Sequence, residues 1–478
     1  MTLPLNGSSS TAAVPAPRGR KLLGLDPLRF WLCVLIVMTM SRIHQHFAFL
    51  RPLRPALTVT LLVAMYAYLN PKLLSSGSMF RTAPAKVMAA LGVMACLSVP
   101  TALSIGRAGS FILQDYSKVL ILAFLLIAAI RGAKDLYAFA WAMVISAGAL
   151  SYLSLFVFKV RKGNGDFAAR IAGGYTWDAN DICLILLVAL PFVLLVLENA
   201  KPRARALCFV AIIGIGAAIA RTVSRGGFLG LISVGLALLF LVRHVALPKR
   251  IAAVATVIFG LAAFAPSGYW DQIGTMLHPE DDYNMTSPTG RKAVAQRGLG
   301  YMMYNPFTGI GADNFPVAEA TISPRMEGWV VGMTGIKQSA AHNSYLQAAA
   351  EMGIPGGALF IALVLSGIII PFQLRSRMPK AWLKGDREQR FLYHMTTYLP
   401  VAFIGFAVPG AFLSFAYNDP IYLLSAFNAG LILAIDRKRR EGTPGAAPGV
   451  VAAPARPAPY RPSVMRGLQA PVLPPRAR

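Results

Sequence analysis

The chain has 478 residues, of which 56% are hydrophobic and only 14% charged, with a formal net charge of +26. Soluble domains are nearer a quarter charged, so this composition excludes an ordinary soluble enzyme. The cations lie mostly at the ends of apolar blocks and in the tails, which points to anionic lipid rather than nucleic acid as their partner.

Residues 1–25 are polar, Pro- and Ser-containing and basic, and read as a disordered N-terminus. No small-residue cleavage site follows the first apolar block, so that block is expected to stay as the first helix. Apolar blocks then run over 26–44, 55–70, 84–103, 115–131, 135–158, 180–198, 205–221, 226–243 and 249–265. After a long gap come 356–372, 394–414 and 418–435. The expected fold is all-α and membrane-integral, with about 12 transmembrane helices: nine within 26–265, one large loop over 266–355, and three within 356–435. Residues 436–478, rich in Pro, Ala and Arg, read as a disordered cytoplasmic tail. Cys33, Cys96, Cys183 and Cys208 all fall in apolar blocks, and neither a metal-binding spacing nor a disulfide framework is expected of them.

The Lys/Arg bias sets the orientation. Arg18, Arg20 and Lys21, Lys201/Arg203/Arg205, Arg243/Lys249/Arg250, the stretch from Arg375 to Arg390, and Arg437 to Arg440 fall on one side, which places both termini in the cytoplasm. The segments 159–179, 221–225 and 266–341 then face outward. The last contains aromatic residues and a helix-like stretch near 291–304, and is expected to be ordered.

Several cations break the inside preference: Lys159, Arg161, Lys162, Arg170, Arg221, Arg225, Arg291, Lys292 and Arg297. Cations placed outward suit an anionic partner at the outer face, such as a lipid-linked diphosphate, and the planar guanidinium binds phosphate oxygens in a bidentate way. Headgroup snorkelling is the alternative for any single one. Arg225 is singled out because Gly226 and Gly227 follow it and would let a ligand approach a helix N-terminus. Asp178 and Asp181 could orient Arg170 or cap a helix. Glu280, Asp281 and Asp282 are the acidic run of the loop, read as a solvated turn or a weak cation site. His342 opens a short helical stretch that Gly353 breaks just before a membrane span, and its imidazole could take a proton from an acceptor hydroxyl.

His342-Asn343, nine residues, Gly353, two residues, Gly356 resembles the signature of the bacterial O-antigen ligase and polymerase superfamily. Ser224-Arg225-Gly226-Gly227 resembles its Ser-Arg-Gly-Gly stretch. Gly290-Arg291 followed by Asn305-Pro306-Phe307-Thr308-Gly309-Ile310-Gly311 and Asn314-Phe315 resembles its loop motif. Arg170, Gly174-Tyr175 and Asp178-Ala179-Asn180-Asp181 resemble the segment leading into the sixth span, with Ala179 where Pro is commoner. The resemblance spans roughly residues 165–372 and implies a fold like the all-helical membrane glycosyltransferases. It also implies transfer of a glycan from an undecaprenyl-diphosphate carrier to an acceptor hydroxyl at the periplasmic face of the inner membrane, with no cofactor and no metal. The acceptor would be lipid A-core in a ligase, a carrier-linked repeat in a polymerase, or protein Ser or Thr in an O-oligosaccharyltransferase. His342 becomes the candidate base, Arg225 and Arg291 the diphosphate clamp, and Arg170, Arg221 and Asn343 further substrate-binding residues. A lipid-linked glycan transporter would explain the helices and outward arginines but not the His-Asn element, and an inactive scaffold would have no use for His342 or Arg225.

Overall fold

The computed structural model describes residues 25–74, 79–161, 170–172, 177–278, 280, 282–287, 290–323 and 339–441. The expectations for residues 1–24 and 442–478, and for Lys162, Gly174, Tyr175 and Asp281, lie outside them. Among the described residues the only sheet is a two-stranded antiparallel pair, β1 (Val160–Arg161) and β2 (Arg170–Ile171).

The protein is all-α and multi-pass. The helices before the large loop are α1 (Pro27–Ser41), α2 (Pro55–Leu69), α3 (Ala83–Leu97), α4 (Ile105–Phe111), α5 (Ser117–Ala129), α6 (Ala133–Tyr152), α7 (Ala179–Asn199), α8 (Pro202–Thr222), α9 (Arg225–Leu241) and α10 (Leu247–Phe264). The loop carries α11 (Tyr269–Gly274), α12 (Tyr283–Thr286), α13 (Arg291–Tyr304) and α14 (Phe315–Thr321). Then come α15 (Ser344–Arg377), α16 (Arg387–Gly410) and α17 (Asp419–Glu441). Eight helical segments are long and apolar enough to cross a membrane, and α1, α2, α3 and α9 are shorter apolar helices. Each of the twelve apolar blocks is one of these. The fourth starts about ten residues earlier than its block, because a π-helical turn through Ile112–Tyr116 joins α4 to α5 and the polar pair Gln114-Asp115 interrupts the apolar pattern there.

The caps follow from sequence. Pro27, Pro55 and Pro202 open α1, α2 and α8, where a missing N–H costs nothing. Asp178 caps α7 reciprocally with Asp181. Helix α7 is buried from Ile182 to Val196 and packs against α6, α8, α9 and α16. It is apolar on every face, as a central helix of a bundle must be. Helix α10 turns most of its surface outward and meets α8 where Gly216 and Gly260 bring the two backbones together.

The two ends of the bundle differ. At one end Arg29 is buried and binds Asp26, Asp135 (2.7 Å) and the carbonyls of Leu73 and Ala129. Arg131 reaches Asp26 at 2.6 Å, and Arg437 donates to the Arg131 carbonyl, so the start of α1 and the end of α17 share that basic end. At the other end Arg42 pairs with Asp419 at 2.9 Å.

The expected break in α15 is present at Gly353, which has φ 71° and ψ −179°. A Cβ there would lie 2.6 Å from the carbonyl carbon of Phe307. Across the same contact Gly309 has φ 72°, and its Cβ would lie 2.4 Å from the carbonyl carbon of Glu351. The Ile354 N–H donates to Pro306, the Ile310 N–H to Ala350 and the Gly311 N–H to Glu351. The loop motif and the helix break are thus two halves of one backbone interlock, which only glycine permits at both positions. Gly353→Ala is expected to lower stability by at least ~2 kcal/mol. Gly300→Ala, on the open face of α13, is expected to raise it by ~0.5–1 kcal/mol. Thermal unfolding of the two variants in one detergent checks both.

Candidate functional site

Three helices start at one place. Asp178 is the N-cap of α7, Arg225 the first residue of α9, and Arg291 the first residue of α13. Helix N-termini carry partial positive charge and unpaired N–H groups, so the convergence favours an anion before any side chain is counted. Arg170, on β2, joins them. Burial, followed by repulsion from Arg225, lowers the basicity of Arg291. Asp178 and Asp282 offset part of this, and Arg170 adds to it. Arg170, Arg225 and Arg291 therefore share one electrostatic neighbourhood.

The acids close by are engaged. Asp178 accepts from the N–H groups of Asn180 (2.7 Å) and Asp181 (3.0 Å), and Asp181 accepts from the Asp178 N–H at 2.9 Å. Both serve as the capping box, and no ion pair joins either to Arg170 among the described residues. Asp282 takes the Arg225 guanidinium in a two-point grip at 2.7 and 3.2 Å, while Thr275 accepts from the same Nη1 at 2.9 Å. Partial burial works against the charged carboxylate, yet hydrogen bonds from Asn284 and the pairing with Arg225 hold Asp282 below the usual carboxylate range. The carboxylate is thus ionised, and the grip closed, throughout the neutral range. In this state a protein carboxylate occupies one edge of the Arg225 guanidinium.

Gly226 and Gly227 do not open a ligand path as expected. A Cβ at Gly227 would lie 2.1 Å from Cys183 Sγ, and one at Gly226 would lie 3.0 Å from Phe412 Cβ. The pair lets the start of α9 press onto α7 and onto the turn between α16 and α17, which fixes where Arg225 stands.

That turn reaches the other candidate. His342 lies one residue before the helix cap rather than opening the helix, with φ 49°, a conformation uncommon outside glycine. Its N–H donates to Ser414 Oγ at 2.8 Å. Ser344 Oγ donates to the Leu413 carbonyl at 2.7 Å and accepts from the Phe415 N–H at 3.0 Å. Residues 412–415 therefore touch both the base of Arg225 and the His342 corner. Asn343 has another duty from the one expected: its side-chain oxygen caps α15, accepting from Tyr345 and Leu346 at 3.0 Å each.

Arg221 and Arg297 have other partners. Arg221 donates to the Leu155 carbonyl and lines a cavity of about 360 Å³ with Phe156, Ile171 and Phe264. Arg297 is a structural cation: it grips the fully buried Glu319 at 2.7 Å through two nitrogens, and Tyr301 donates to the same carboxylate at 2.7 Å. Sequence reading missed Arg42, whose guanidinium stacks 4.7 Å over Trp177, next to the α7 cap. Its position at the C-terminal end of the first block, the end expected to face outward, was the available signal. It also missed Glu351, whose buried carboxylate accepts the Asp313 and Phe315 N–H groups at 3.0 Å and shapes the loop motif.

The fold and site together define a polytopic all-helical membrane protein with a cluster of arginines at one end. Residues 209–361 match the family model described as O-Antigen ligase, so over this segment the chain is similar to that family. The matched stretch contains Arg221, Arg225, Arg291, Asn343 and His342, but not Arg170. No curated protein matches the chain.

Arg297→Leu leaves Glu319 buried without a counter-charge and is expected to cost ~3–5 kcal/mol. Arg291→Gln removes a cation that burial and neighbouring guanidiniums already disfavour, and is expected to leave the melting temperature unchanged or higher. Thermal shift on the two purified variants separates the carboxylate-paired arginine from the one its neighbours disfavour.

Proposed function

We propose that the protein transfers a glycan from an undecaprenyl-diphosphate carrier to an acceptor hydroxyl at the periplasmic face of the inner membrane, as an O-antigen ligase, with both termini cytoplasmic. The observation that carries this reading is the crowding of Arg170, Arg225 and Arg291 at converging helix N-termini. A lipid diphosphate fits it by charge and by address. One turn below Arg225 on α9, a cavity of about 340 Å³ begins at Phe228 and runs past Leu231, Gly235, Val257 and Leu261 under Trp270. An isoprenoid tail suits such an apolar slot when its diphosphate is held at the helix start.

In the reaction, the acceptor oxygen forms a bond to the anomeric carbon as the bond from that carbon to the diphosphate oxygen breaks. The acceptor proton passes to the His342 imidazole, and undecaprenyl diphosphate leaves with the electron pair. Fixed guanidiniums in a poorly hydrated site stabilise the charge that collects on the leaving group, so no metal is needed. Attack opposite the diphosphate inverts the anomeric centre. Asp282 must release Arg225 when the donor arrives, because one guanidinium edge cannot serve both anions.

The test is complementation of a strain lacking this gene, at matched membrane expression, with lipopolysaccharide and carrier-linked glycan read on one gel. Wild type is expected to restore capped lipopolysaccharide. His342→Ala is expected to lose ~10²–10⁴-fold in transfer, and Arg225→Ala or Arg291→Gln ~10²–10³-fold each, with polymer left on the carrier. Accumulation of single repeats on the carrier would assign a polymerase instead, and variants as active as wild type would remove these residues from the site.

A further inference from the structure

At the opposite end of the bundle, three side chains from three elements meet. Glu198 sits in the last turn of α7, His244 in the turn after α9, and His394 in the first third of α16. Their side chains are 20%, 4% and 13% exposed. His244 Nε2 lies 3.0 Å from Glu198 Oε2, and His394 Nδ1 lies 3.1 Å from the same oxygen. The two rings stack, with centroids 4.5 Å apart and planes 15° apart. Tyr398, one turn along α16 from His394, donates to the other carboxylate oxygen, Oε1, at 2.7 Å.

Hydrogen bonding alone leaves this cluster in conflict. His394 Nδ1 must carry a proton to donate to Glu198, yet the Asn199 Nδ2 donor approaches the same nitrogen at 3.3 Å and needs it bare. One ring nitrogen cannot do both. His244 donates from Nε2 to Glu198 as the cluster stands, and its Nδ1 is buried with no hydrogen-bond partner, so no contact at Nδ1 opposes moving the proton there and freeing Nε2 as a ligand atom. Both facing nitrogens can present lone pairs. The three donor atoms lie within 4.8 Å of one another, and two of the separations are 3.0 and 3.1 Å. A tetrahedral Zn²⁺ with bonds of ~2.0–2.1 Å puts its ligand atoms ~3.3 Å apart, close to the two separations present, and on binding the stacked rings turn out of their parallel alignment so that each aims a lone pair at the ion. Two imidazoles and one carboxylate, with a fourth position for water, form a donor set that selects a divalent transition metal over Mg²⁺ or Ca²⁺. Tyr398 already holds the carboxylate's second oxygen and orients it, as an outer-shell partner does.

We propose that Glu198, His244 and His394 form a binding site for a divalent transition metal of the zinc class, separate from the arginine pocket. The ion clasps the basic-end termini of α7 and α9 to α16. Helices α7 and α9 carry Asp178 and Arg225 at their other ends, so occupancy stiffens the frame that holds the anion pocket. The site does not depend on the transferase reading, and its test reads metal rather than glycan.

Untagged full-length protein in detergent, stripped with chelator and dialysed, is titrated with ZnCl₂ by calorimetry and with CoCl₂ by visible absorption. One Zn²⁺ per chain is expected, with a rise in melting temperature and, for Co²⁺, the intense d–d bands of a four-coordinate site. Glu198→Gln, which keeps the shape of the cluster, and His244→Ala are expected to weaken binding beyond the roughly 10–100-fold of an outer-shell change. His278→Ala, at an exposed histidine, is expected to leave it unchanged. The melting temperature of Glu198→Gln in chelator, compared with wild type in chelator, reports whether that variant is folded. No saturable binding in wild type, or binding that folded Glu198→Gln retains in full, overturns the proposal.

Discussion

The backbone interlock between Gly309 and Gly353 sets the geometry around His342 and the loop motif. Two chain segments over forty residues apart approach so closely that neither tolerates a Cβ, and three N–H groups cross the contact to seal it. From that fixed point the short first part of α15 runs back to the Asn343 cap and the His342 corner, and the loop runs forward to Asp313 and Phe315, which Glu351 receives. Helix α13 is tied to the same body through Gly298, which sits against Leu346. The described residues 290–315 of the loop are thus held against the start of α15.

The second constraint is electrostatic. A membrane protein places a cation outside the cytoplasmic face at some cost, and burying several side by side costs more. Here the cations sort into two kinds. Arg29, Arg42 and Arg297 are matched by carboxylates and hold elements together. Arg291 is opposed by its surroundings, and Arg225 is gripped by Asp282, a carboxylate that lies in the loop and also accepts from Asn284. An uncompensated guanidinium group built into converging helix starts is stable only because the rest of the bundle supports it. Such a group is poised to gain when an anion arrives.

Much of this was legible in the sequence. All twelve apolar blocks are helices, the stretch 291–304 is a helix with those bounds, and the break at Gly353 is where the Gly-rich run put it. Residue type and spacing decide such features locally. The pairings were not legible, because they join residues 22 to 57 positions apart: Arg297 to Glu319, and Arg225 to Asp282. The same limit hid the packing duty of Gly226 and Gly227, whose neighbours Cys183 and Phe412 come from other helices, and the meeting of Glu198, His244 and His394. A run of small residues beside an arginine reads equally as a ligand approach or a helix contact until the opposing surface is known.

The central claim is that the arginine pocket binds a diphosphate in competition with Asp282. Its most direct measurement is calorimetric titration of the purified protein with a short-chain prenyl diphosphate and the matching prenyl monophosphate. The account expects the diphosphate to bind more tightly than the monophosphate, Arg225→Ala to weaken that binding at least ~10-fold, and Asp282→Asn to strengthen it, since each lost or freed charge-assisted contact is worth ~1.5–3 kcal/mol. Equal binding of the two phosphates, or a diphosphate affinity that neither substitution changes, would contradict it.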